Sequence, residues 1–405
     1  MTAYVFDPSR PGFAEDPYPF YAELRAKDPV HEHPLGYWIL SRHADVFELL
    51  RSRHSVEDRH ARATPLRRLR EDAVGGEYRA VAPTMLDRDP PDHTRLRKLV
   101  TKAFTKRAID ALEPRVTELV DTALDRMEHR IADTGRADVV EELAYPLPMT
   151  VISELLGMPD TDHTRLRELA SMVVRRLDQV TDPELIQSIA AAGAELSARI
   201  DEVVTEKRRS PGDDVLTALI QAEDDGDVLT DEELVAQVVL LYVAGHETTV
   251  NLIANGTLAL LRNPDQFALL TARPDLDANT VEEVLRYESP VHQSRRITLS
   301  QYRVGGRVIP AGSFVLAALA SANRDPEFWG PDADALRLDR ANARSHVCFG
   351  SGGAHHCLGA SLARLEGRVA LGRLVRRFPK LALADTVTWN GRINVRGPVS
   401  VPVTT

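Results

Sequence analysis

The chain has 405 residues, 43% of them hydrophobic, so it can bury a large core, and its length alone would allow two or three domains. Its 50 basic and 60 acidic residues give a net charge of -10, which argues against a protein that coats nucleic acid by charge. The N-terminus lacks a basic segment followed by an apolar run, and no stretch reaches the ~18 apolar residues of a membrane span. We therefore expect no signal peptide, no membrane span and no nucleic acid partner.

The two cysteines, Cys348 and Cys357, are too few for a disulfide framework in a chain of this length. They fit a reducing compartment, and we predict a cytoplasmic protein. Two thiols also cannot supply the four thiolates of a typical iron-sulfur cluster. We therefore expect no such cluster in this chain.

Helical periodicity dominates the sequence. Apolar residues recur at spacings of three and four through 109–127, 196–204 and 362–378. Strand patterns are fewer and indicate short hairpins at 37–40, in the glycine-interrupted segment 302–319, and at 394–403. Residues 209–227 are typical of an exposed loop. The fold class predicted is mainly α with small β-sheets.

A six-residue string, Asp-His-Thr-Arg-Leu-Arg, occurs at 92–97 and again at 162–167. It is too short and isolated to indicate a repeat architecture. In the first copy His93 and Arg97 lie four positions apart, on one face of a helix, where they could simply face solvent.

The longest predicted helix begins at Thr230, where Glu233 completes a capping box, and ends at Asn263 before a proline. A helix of this length spans about 50 Å at 1.5 Å per residue. Residues 238–244 are apolar on every side, as expected of a helix that crosses the centre of a large protein.

The apolar pattern of this helix breaks at Gly245, His246, Glu247, Thr248 and Thr249. Glycine costs about 1 kcal/mol in a helix interior, and a buried acid beside alcohols needs partners. Such a break indicates a working site. Taken alone, a polar surface patch or a mild kink would explain it as well.

Glu283 and Arg286 form a weaker signal. The acid follows Thr280 at capping-box spacing, and the two charges at i and i+3 could be an exposed pair.

A second anomaly is the glycine-rich segment 349–359, which ends beside a helix beginning near Ala360. Its glycines let the backbone pass close to something flat or bulky, and Cys357 lies just before the helix N-terminus, a position that favours a thiolate. A merely buried cysteine would not need Gly350, Gly352 and Gly353 before it.

Two other interpretations of this segment are weak. A dinucleotide fingerprint would need glycine at His355 and an acid about 20 residues later, where the chain has arginines instead. A zinc site formed by His355, His356 and Cys357 lacks a second pair of ligands, and adjacent side chains rarely converge on one tetrahedral ion.

The segment resembles the cysteine-ligand loop of the cytochrome P-450 family, commonly written FGxGxHxCLG, and the match continues through residues 360–366. Cys357 lies eight positions after Phe349, one more than in the commonest form. We interpret the difference as a one-residue insertion among the glycines.

Other landmarks follow in the family's order, from about residue 16 to residue 403. Residues 244–249 resemble the oxygen-activation motif of the central helix, and Glu283 with Arg286 resembles the ExxR motif. The family's order also selects the string at 92–97 as the propionate-binding segment. Members usually carry Phe where this chain has Leu338, so the third partner of the ExxR network is either Arg337 or Arg340.

The resemblance implies the cytochrome P-450 fold, a triangular prism formed by one domain over residues 1–405. Haem b (iron protoporphyrin IX) is expected between the central helix and the cysteine loop, with the Cys357 thiolate as axial iron ligand and Cys348 uninvolved. The residues that the resemblance assigns to the cofactor are His93, Arg97, Ala244, Gly245, Arg296, Phe349, His355, Cys357 and Gly359.

For catalysis, the resemblance implies that Glu247 relays protons and that Thr248 holds bound oxygen by a hydrogen bond. Ala244 and Gly245 would leave space for oxygen beside the haem. His246 occupies the variable position of the motif and receives no role.

The implied reaction inserts one oxygen atom from O2 into a small organic substrate, by hydroxylation or epoxidation in secondary metabolism. The chain is expected to act as a monomer that receives electrons from a ferredoxin and its reductase. A basic stretch formed by Lys98, Lys102, Lys106 and Arg107 could dock an acidic ferredoxin, or could be a solvated helix face.

Two rival hypotheses remain open at this stage. One is a haem-thiolate enzyme that uses peroxide or performs oxidative coupling or cyclisation, although Glu247 and Thr248 argue against a peroxide-only enzyme. The other is a non-catalytic haem sensor or a metal-binding structural protein.

Substrate contacts are expected at residues 56–85, 166–185, 239–244, 291–294 and near Ile393. The first of these segments contains Arg59, Arg62, Arg67, Arg68 and Arg70, which could pair with an acidic or carrier-bound substrate, but we expect them to be solvated.

Overall fold

The structure, a computed structural model, describes residues 4–76, 81–158, 163–224 and 226–405. Within them the chain forms sixteen α-helices and thirteen short strands. The helices are α1 Tyr18–Lys27, α2 His43–Arg51, α3 Pro65–Val74, α4 Asp92–Ala103, α5 Lys106–Asp110, α6 Glu113–Thr134, α7 Pro146–Leu156, α8 His163–Val174, α9 Pro183–Arg209, α10 Val215–Ile220, α11 Asp231–Arg262, α12 Pro264–Ala272, α13 Asp277–Tyr287, α14 Leu319–Ala322, α15 Pro326–Trp329 and α16 Ala360–Arg377. The predicted class, mainly α with small β-sheets, is confirmed.

The strands form small sheets at the edges of the helical body. They are β1 Val30–Glu32, β2 Tyr37–Leu40, β3 Ala137–Asp138, β4 Glu223–Asp224, β5 Asp227–Val228, β6 Gln293–Ile297, β7 Tyr302–Val304, β8 Arg307–Ile309, β9 Phe314–Ala318, β10 Ala382–Leu383, β11 Thr388–Trp389, β12 Pro398–Ser400 and β13 Pro402–Thr404. The largest sheet has the order β1-β2-β9-β6, with β2 parallel to β9 and the other pairs antiparallel. This sheet places β6 at its edge, where β6 lines the central cavity described below.

Helix α11 forms the axis of the core. Its start matches the predicted capping box, because the NH of Glu233 donates to Thr230 Oγ1 and Glu233 Oε2 accepts from the NH of Thr230. Asn263 ends the helix before Pro264, as predicted. Helices α7, α8, α9 and α16 pack around it, so α11 contributes residues to both large hydrophobic clusters.

Three predicted segments differ from the structure. The helix predicted over 109–127 is broken, because α5 ends at Asp110 and α6 restarts at Glu113, followed by Pro114, which cannot donate a backbone hydrogen bond. The loop predicted over 209–227 contains the largely buried helix α10, whose six residues, five of them apolar, are too few for a clear period. Residue 225 lies outside the described residues. Strands β12 and β13 pair with β11 and with β10 and β3, not with each other.

The ExxR residues lie at the centre of a buried network. Glu283 and Arg286 are fully buried and joined by two hydrogen bonds of 2.7 Å. Arg340 Nε completes the network at 3.2 Å from Glu283 Oε1, whereas Arg337 contributes only its backbone NH. Thr280 lies inside α13, so the capping alternative for Glu283 is wrong.

In the part of the chain that the structure describes, none of the helices has the length and apolar character required to cross a bilayer.

Candidate haem-thiolate site

A cavity of about 540 Å³ lies between α11 and the segment that carries Cys357. Each segment predicted to contact substrate reaches its wall, through Met85, Leu177, Leu241, Val291 and Asn394. Residues 77–80 of the first segment lie outside the described residues. The cavity therefore joins sequence segments that are far apart in the chain.

A left-handed turn accommodates the extra residue of the cysteine loop. Gly350, Ser351 and Gly352 have positive φ angles of 86°, 51° and 70°. Two of the three are glycine, which adopts this conformation without steric cost. The NH of Cys357 donates to the carbonyl of Phe349 over 2.8 Å, so the loop closes behind the turn.

The loop also packs closely against the end of α2. A Cβ atom on Gly353 would lie 2.3 Å from the carbonyl oxygen of Leu50, a distance that side-chain carbons do not tolerate. Arg51 Nη1 donates to the carbonyl of Ser351 over 3.0 Å. The glycine at 353 is therefore required by the backbone of α2.

The Cys357 thiol faces the cavity, three residues before α16 begins. Its accessible surface opens into this cavity, and burial raises the pKa of the thiol despite a backbone hydrogen bond from Gly359 and the charge of Arg97. The helix terminus alone therefore does not hold a thiolate here. A metal cation in the cavity would, because metal coordination deprotonates a thiol.

Cys348 has a different environment. Its Sγ donates to the carbonyl of Leu285 over 3.0 Å and accepts from the amide of Asn323 over 3.1 Å. These contacts tie Cys348 to α13 and to the end of α14, although Cys348 also borders the cavity.

Two histidines and two arginines meet beside the cavity. The ring centroids of His93 and His355 are 4.3 Å apart, and Arg97 and Arg296 line the same region. Burial, followed by the charges of His93 and Arg296, lowers the pKa of His355 to about 3. Burial likewise lowers the pKa of Arg296 to about 10.

This basic cluster fits the carboxylates of a haem. Nε2 of His93 is buried without a hydrogen-bond partner. The nearby carboxylate of Asp89 already accepts hydrogen bonds from Ser55 and Val56. Anionic propionates would offset the mutual repulsion of the bases through charged hydrogen bonds.

On the opposite wall, Ala244, Gly245 and Thr248 of α11 face the cavity. The hydroxyl of Thr248 donates to the carbonyl of Ala244 over 2.9 Å, which leaves its oxygen lone pairs as acceptors. A Cβ on Gly245 would approach Ile152 to 2.8 Å, so this glycine also permits the close packing of α7 on α11.

Glu247 does not line the cavity, although its neighbour Thr248 does. Its Oε1 forms an ion pair with Arg392, and its Oε2 lies 3.3 Å from Nε2 of the fully buried His246. No local sequence pattern indicates Arg392 as a partner, because 145 positions separate it from Glu247.

A further charged network lies behind the cysteine loop. The guanidinium carbon of Arg364 lies 4.6 Å from the centroid of the Phe349 ring. Its Nε donates to Glu282 Oε1 over 2.8 Å, and His346 Nε2 lies 3.0 Å from Glu282 Oε2. This network holds Phe349, the aromatic residue at the start of the loop.

Phe349 and Gly359, both predicted cofactor contacts, line the cavity.

Comparison with known proteins agrees with this geometry. The cytochrome P-450 family model matches residues 82–272 and 266–389. Cytochrome P-450 107B1 of Saccharopolyspora erythraea is 42% identical over 401 residues, covering 96% of this chain and 95% of the relative. Cytochrome P-450 monooxygenase PikC of Streptomyces venezuelae is 43% identical, covering 96% of this chain and 91% of the relative.

Among solved structures, the tirandamycin C-bound P-450 monooxygenase TamI matches with a TM-score of 0.83 at 38% identity, covering 99% of this chain and 100% of that chain. Fold, site and relatives together define an oxidoreductase of the haem-thiolate class. The chain belongs to the cytochrome P-450 family, as the sequence motifs predicted.

Proposed function

We propose that the protein is a haem b monooxygenase that inserts one oxygen atom from O2 into a small organic substrate. The observation that supports this most directly is the cavity itself, whose wall holds the Cys357 thiol and the basic cluster described above. Within that cluster the buried Nε2 of His93 has no hydrogen-bond partner. A zinc-binding structural protein would need no such cluster.

Each residue of the site would then have a distinct task. Cys357 would ligate the iron, and His93, Arg97, Arg296 and His355 would hold the propionates. The bound haem would supply the activation of O2.

The α11 residues would control hydrogen bonding next to the haem. Because Thr248 donates its proton to the carbonyl of Ala244, its oxygen would accept a hydrogen bond from a protonated group in the cavity. Glu247, one residue earlier, would pass protons towards that position from outside the cavity wall.

The test is the carbon monoxide difference spectrum of the reduced protein. The wild type and the Cys348→Ser variant should both show the red-shifted band of thiolate-ligated haem, and the Cys357→Ser variant should lose it. Absence of bound haem in the wild type, or retention of the band in Cys357→Ser, would contradict the proposal.

Isotope labelling separates oxygen insertion from coupling or cyclisation. Turnover under ¹⁸O₂ should place one labelled atom in the product. A product without label would indicate an oxidative coupling enzyme.

The substrate is proposed to be a natural-product scaffold of secondary metabolism. Support comes from the mainly apolar lining, which includes Leu66, Leu240, Phe314 and Leu316, and from the relative TamI, whose structure contains tirandamycin C. Ligand-induced shifts of the haem spectrum across such scaffolds would identify the class.

Electrons are proposed to come from a ferredoxin and its reductase. Lys98 and Lys102 are exposed on α4, and Arg107 is exposed on α5; the side chain of Lys106 lies outside the described residues. Lys102→Glu together with Lys106→Glu should slow reduction by an acidic ferredoxin, whereas Lys380→Glu, exposed beyond α16, should not. Equal reduction rates in both variants would exclude this docking face.

A further inference from the structure

The two adjacent arginines of β6 have different surroundings, although both line the cavity. Arg296 lies with His355 in the basic cluster, where its charge helps to lower the pKa of that histidine. Arg295 instead forms ion pairs with Asp58 at 2.8 Å and with Asp87 at 3.2 Å. The side chain of Arg295 therefore belongs to a second group of charges in the cavity wall.

A second arginine approaches the carboxylate of Asp87. Nη1 of Arg176, in the turn after α8, lies 3.6 Å from Oδ1 of Asp87, the oxygen that also pairs with Nη2 of Arg295. The other oxygen, Oδ2, accepts hydrogen bonds from the backbone NH and the hydroxyl of Thr84. Both oxygens of Asp87 are thus occupied, and its one negative charge faces two guanidinium groups.

Three other acidic side chains line the described part of the cavity wall, and none of them pairs with Arg176. Asp58 is 62% exposed, so water and salt screen its attraction for Arg295. Glu57 pairs with Arg59 over 2.6 Å. Burial raises the pKa of Asp178, which favours its neutral form. Positive charge therefore prevails around Arg176 and Arg295.

Arg176 has donors available for a ligand. Its side chain is 19% exposed and lines the cavity, and its guanidinium forms no hydrogen bond within the described residues, because 3.6 Å is too long. Arg88 lines the cavity as well and forms no ion pair with any residue that the structure describes. Partly buried guanidinium groups favour acceptors that carry a negative charge.

The pKa of Asp87 shows what the two arginines do to a carboxyl group. Burial alone would raise this pKa, but the charges of Arg176 and Arg295 lower it below the ordinary value of aspartate. Apolar wall continues beside the pair, since the ring centroid of Phe314 lies 5.9 Å from the guanidinium carbon of Arg295 and Leu177 follows Arg176. The surroundings suit a carboxylate attached to an apolar body.

We propose that Arg176 and Arg295 bind the carboxylate of an anionic substrate, whose apolar part lies along Phe314 and Leu177. The planar fork of a guanidinium matches the geometry of a carboxylate. The pair already holds one carboxylate oxygen, that of Asp87, so a second carboxylate fits the same donors. The proposal rests on the proposed function, because it assigns a chemical class to the substrate of the monooxygenase.

The test uses ligands that carry an imidazole at one end of an alkyl chain, so that the imidazole coordinates the iron of the haem-loaded protein. The ligands are ω-imidazolyl butanoic, octanoic and dodecanoic acids and their primary amides. At pH 7 the acids are ionised and the amides are neutral. Spectral titration should show at least one acid binding about tenfold more tightly than its amide, the factor expected for one charge-assisted hydrogen bond.

Variants of the pair assign this preference to its residues. Arg176→Gln and Arg295→Gln should each reduce the preference for the acid, and the double variant should abolish it while the affinity for the amide stays unchanged. Arg176→Lys should retain part of the preference, because it keeps the charge without the fork. Asp87→Asn should strengthen binding of the acid several-fold, since it removes the competing negative charge and keeps an acceptor for Thr84.

The matched control is Arg273→Gln, which removes an exposed arginine directly after α12 and changes the net charge equally. It should leave the ratio of the two affinities at the wild-type value. Equal affinities of acid and amide at every chain length, or an unchanged preference in the double variant, would overturn the proposal. Tighter binding of the matching ω-imidazolyl alkylamines would also overturn it and would assign the site to a cationic substrate held by Asp87.

Failure of the proposed function would appear differently. The protein would then lack the thiolate spectrum, and imidazole itself would cause no spectral shift. Titration calorimetry with octanoic acid and octanamide would still measure the charge preference of the arginine pair, and equal affinities there would refute the carboxylate site.

Discussion

At the scale of single residues, Arg340 and Arg337 have opposite roles around Glu283. Arg340 is almost fully buried and its guanidinium contacts the carboxylate directly. The Arg337 side chain pairs with Asp332 near the surface. Arg340→Gln should therefore lower the free energy of unfolding by about 3 kcal/mol, because it leaves part of a buried charge uncompensated. Urea unfolding followed by circular dichroism measures this change.

Arg337→Gln is the matched control. It keeps the backbone NH that donates to Glu283 and removes only an exposed ion pair, so its unfolding free energy should stay close to that of the wild type. Similar losses in the two variants would show that the Arg337 side chain also stabilises the network.

His346 and Glu282 should give stability a pH dependence. Burial alone would lower the pKa of His346, but its interactions with Cys348 and Glu282 raise it to about 9. This contribution is complete below pH ~6.5, the ordinary pKa of histidine, and is lost as the pH rises towards 9. It amounts to at most about 3 kcal/mol, since one pKa unit corresponds to about 1.4 kcal/mol. The urea concentration at the midpoint of unfolding should therefore be lower at pH 9 than at pH 7.

Glu282 should make the stability depend on pH in the acid range. Burial alone would raise its pKa, but hydrogen bonds from His346 and Arg364 lower it to about 2. Its contribution to stability is present above the ordinary pKa of 4.5 and is lost as the pH falls towards 2.

The alkaline prediction is tested by His346→Gln, in which the loss of stability between pH 7 and 9 should shrink. An unchanged dependence on pH in this range would assign the loss to another group.

Sequence reasoning found the residues whose chemistry is encoded locally. Cys357 with its glycines and Glu283 with Arg286 form short motifs; Cys357 borders the cavity, and Glu283 and Arg286 form a buried pair. It could not choose between Arg337 and Arg340, because only the folded chain decides which guanidinium points inward. It also could not find Arg392, since an ion pair over such a sequence separation leaves no periodic signal.

At the scale of elements, the cysteine loop depends on its fit against α2. Gly353→Ala would force a Cβ into the carbonyl of Leu50, a backbone atom that cannot move alone. We expect a loss of about 1–3 kcal/mol, typical of overpacking, and a lower fraction of thiolate-ligated haem. Thermal unfolding and the carbon monoxide spectrum measure the two effects.

Ala354→Ser serves as the control for the loop, because Ala354 is exposed beside Gly353. It should retain the wild-type spectrum and stability. If Gly353→Ala behaves like Ala354→Ser, the contact between the loop and α2 does not position the cysteine.

Helices whose ends are set by local sequence could be predicted, and a short helix stabilised by tertiary packing could not. The limits of α11 were predictable, because Thr230 and Glu233 form a capping box at its start and Pro264 follows its last residues. Helix α10 was not, because it is short and stabilised by burial of Val215, Leu216 and Leu219 in the tertiary fold.

At the scale of the whole molecule, α3 and the turn between α8 and α9 both line the cavity and contact each other. Arg70 of α3 is not simply solvated as the sequence suggested, whereas Arg68 is exposed. Arg70 donates to the carbonyl of Asp178 over 2.6 Å and to that of Val180 over 3.4 Å. Gln187 of α9 donates to the carbonyl of Ala73, three residues further along α3. These bonds hold two separate segments together over the cavity.

Opening of this contact should limit ligand entry, because α3 and the turn after α8 must separate before a bulky molecule passes. Arg70→Gln removes the charge-assisted bonds to Asp178 and Val180, and the ligand association rate should rise about five- to tenfold, as expected for a loss near 1 kcal/mol. Stopped-flow recording of the haem spectral shift measures this rate. Arg68→Gln changes an exposed arginine on the same helix and should leave the rate unchanged. Equal rates in the two variants would mean that ligands enter without separating α3 from the turn, and would place the opening motion in another part of the molecule.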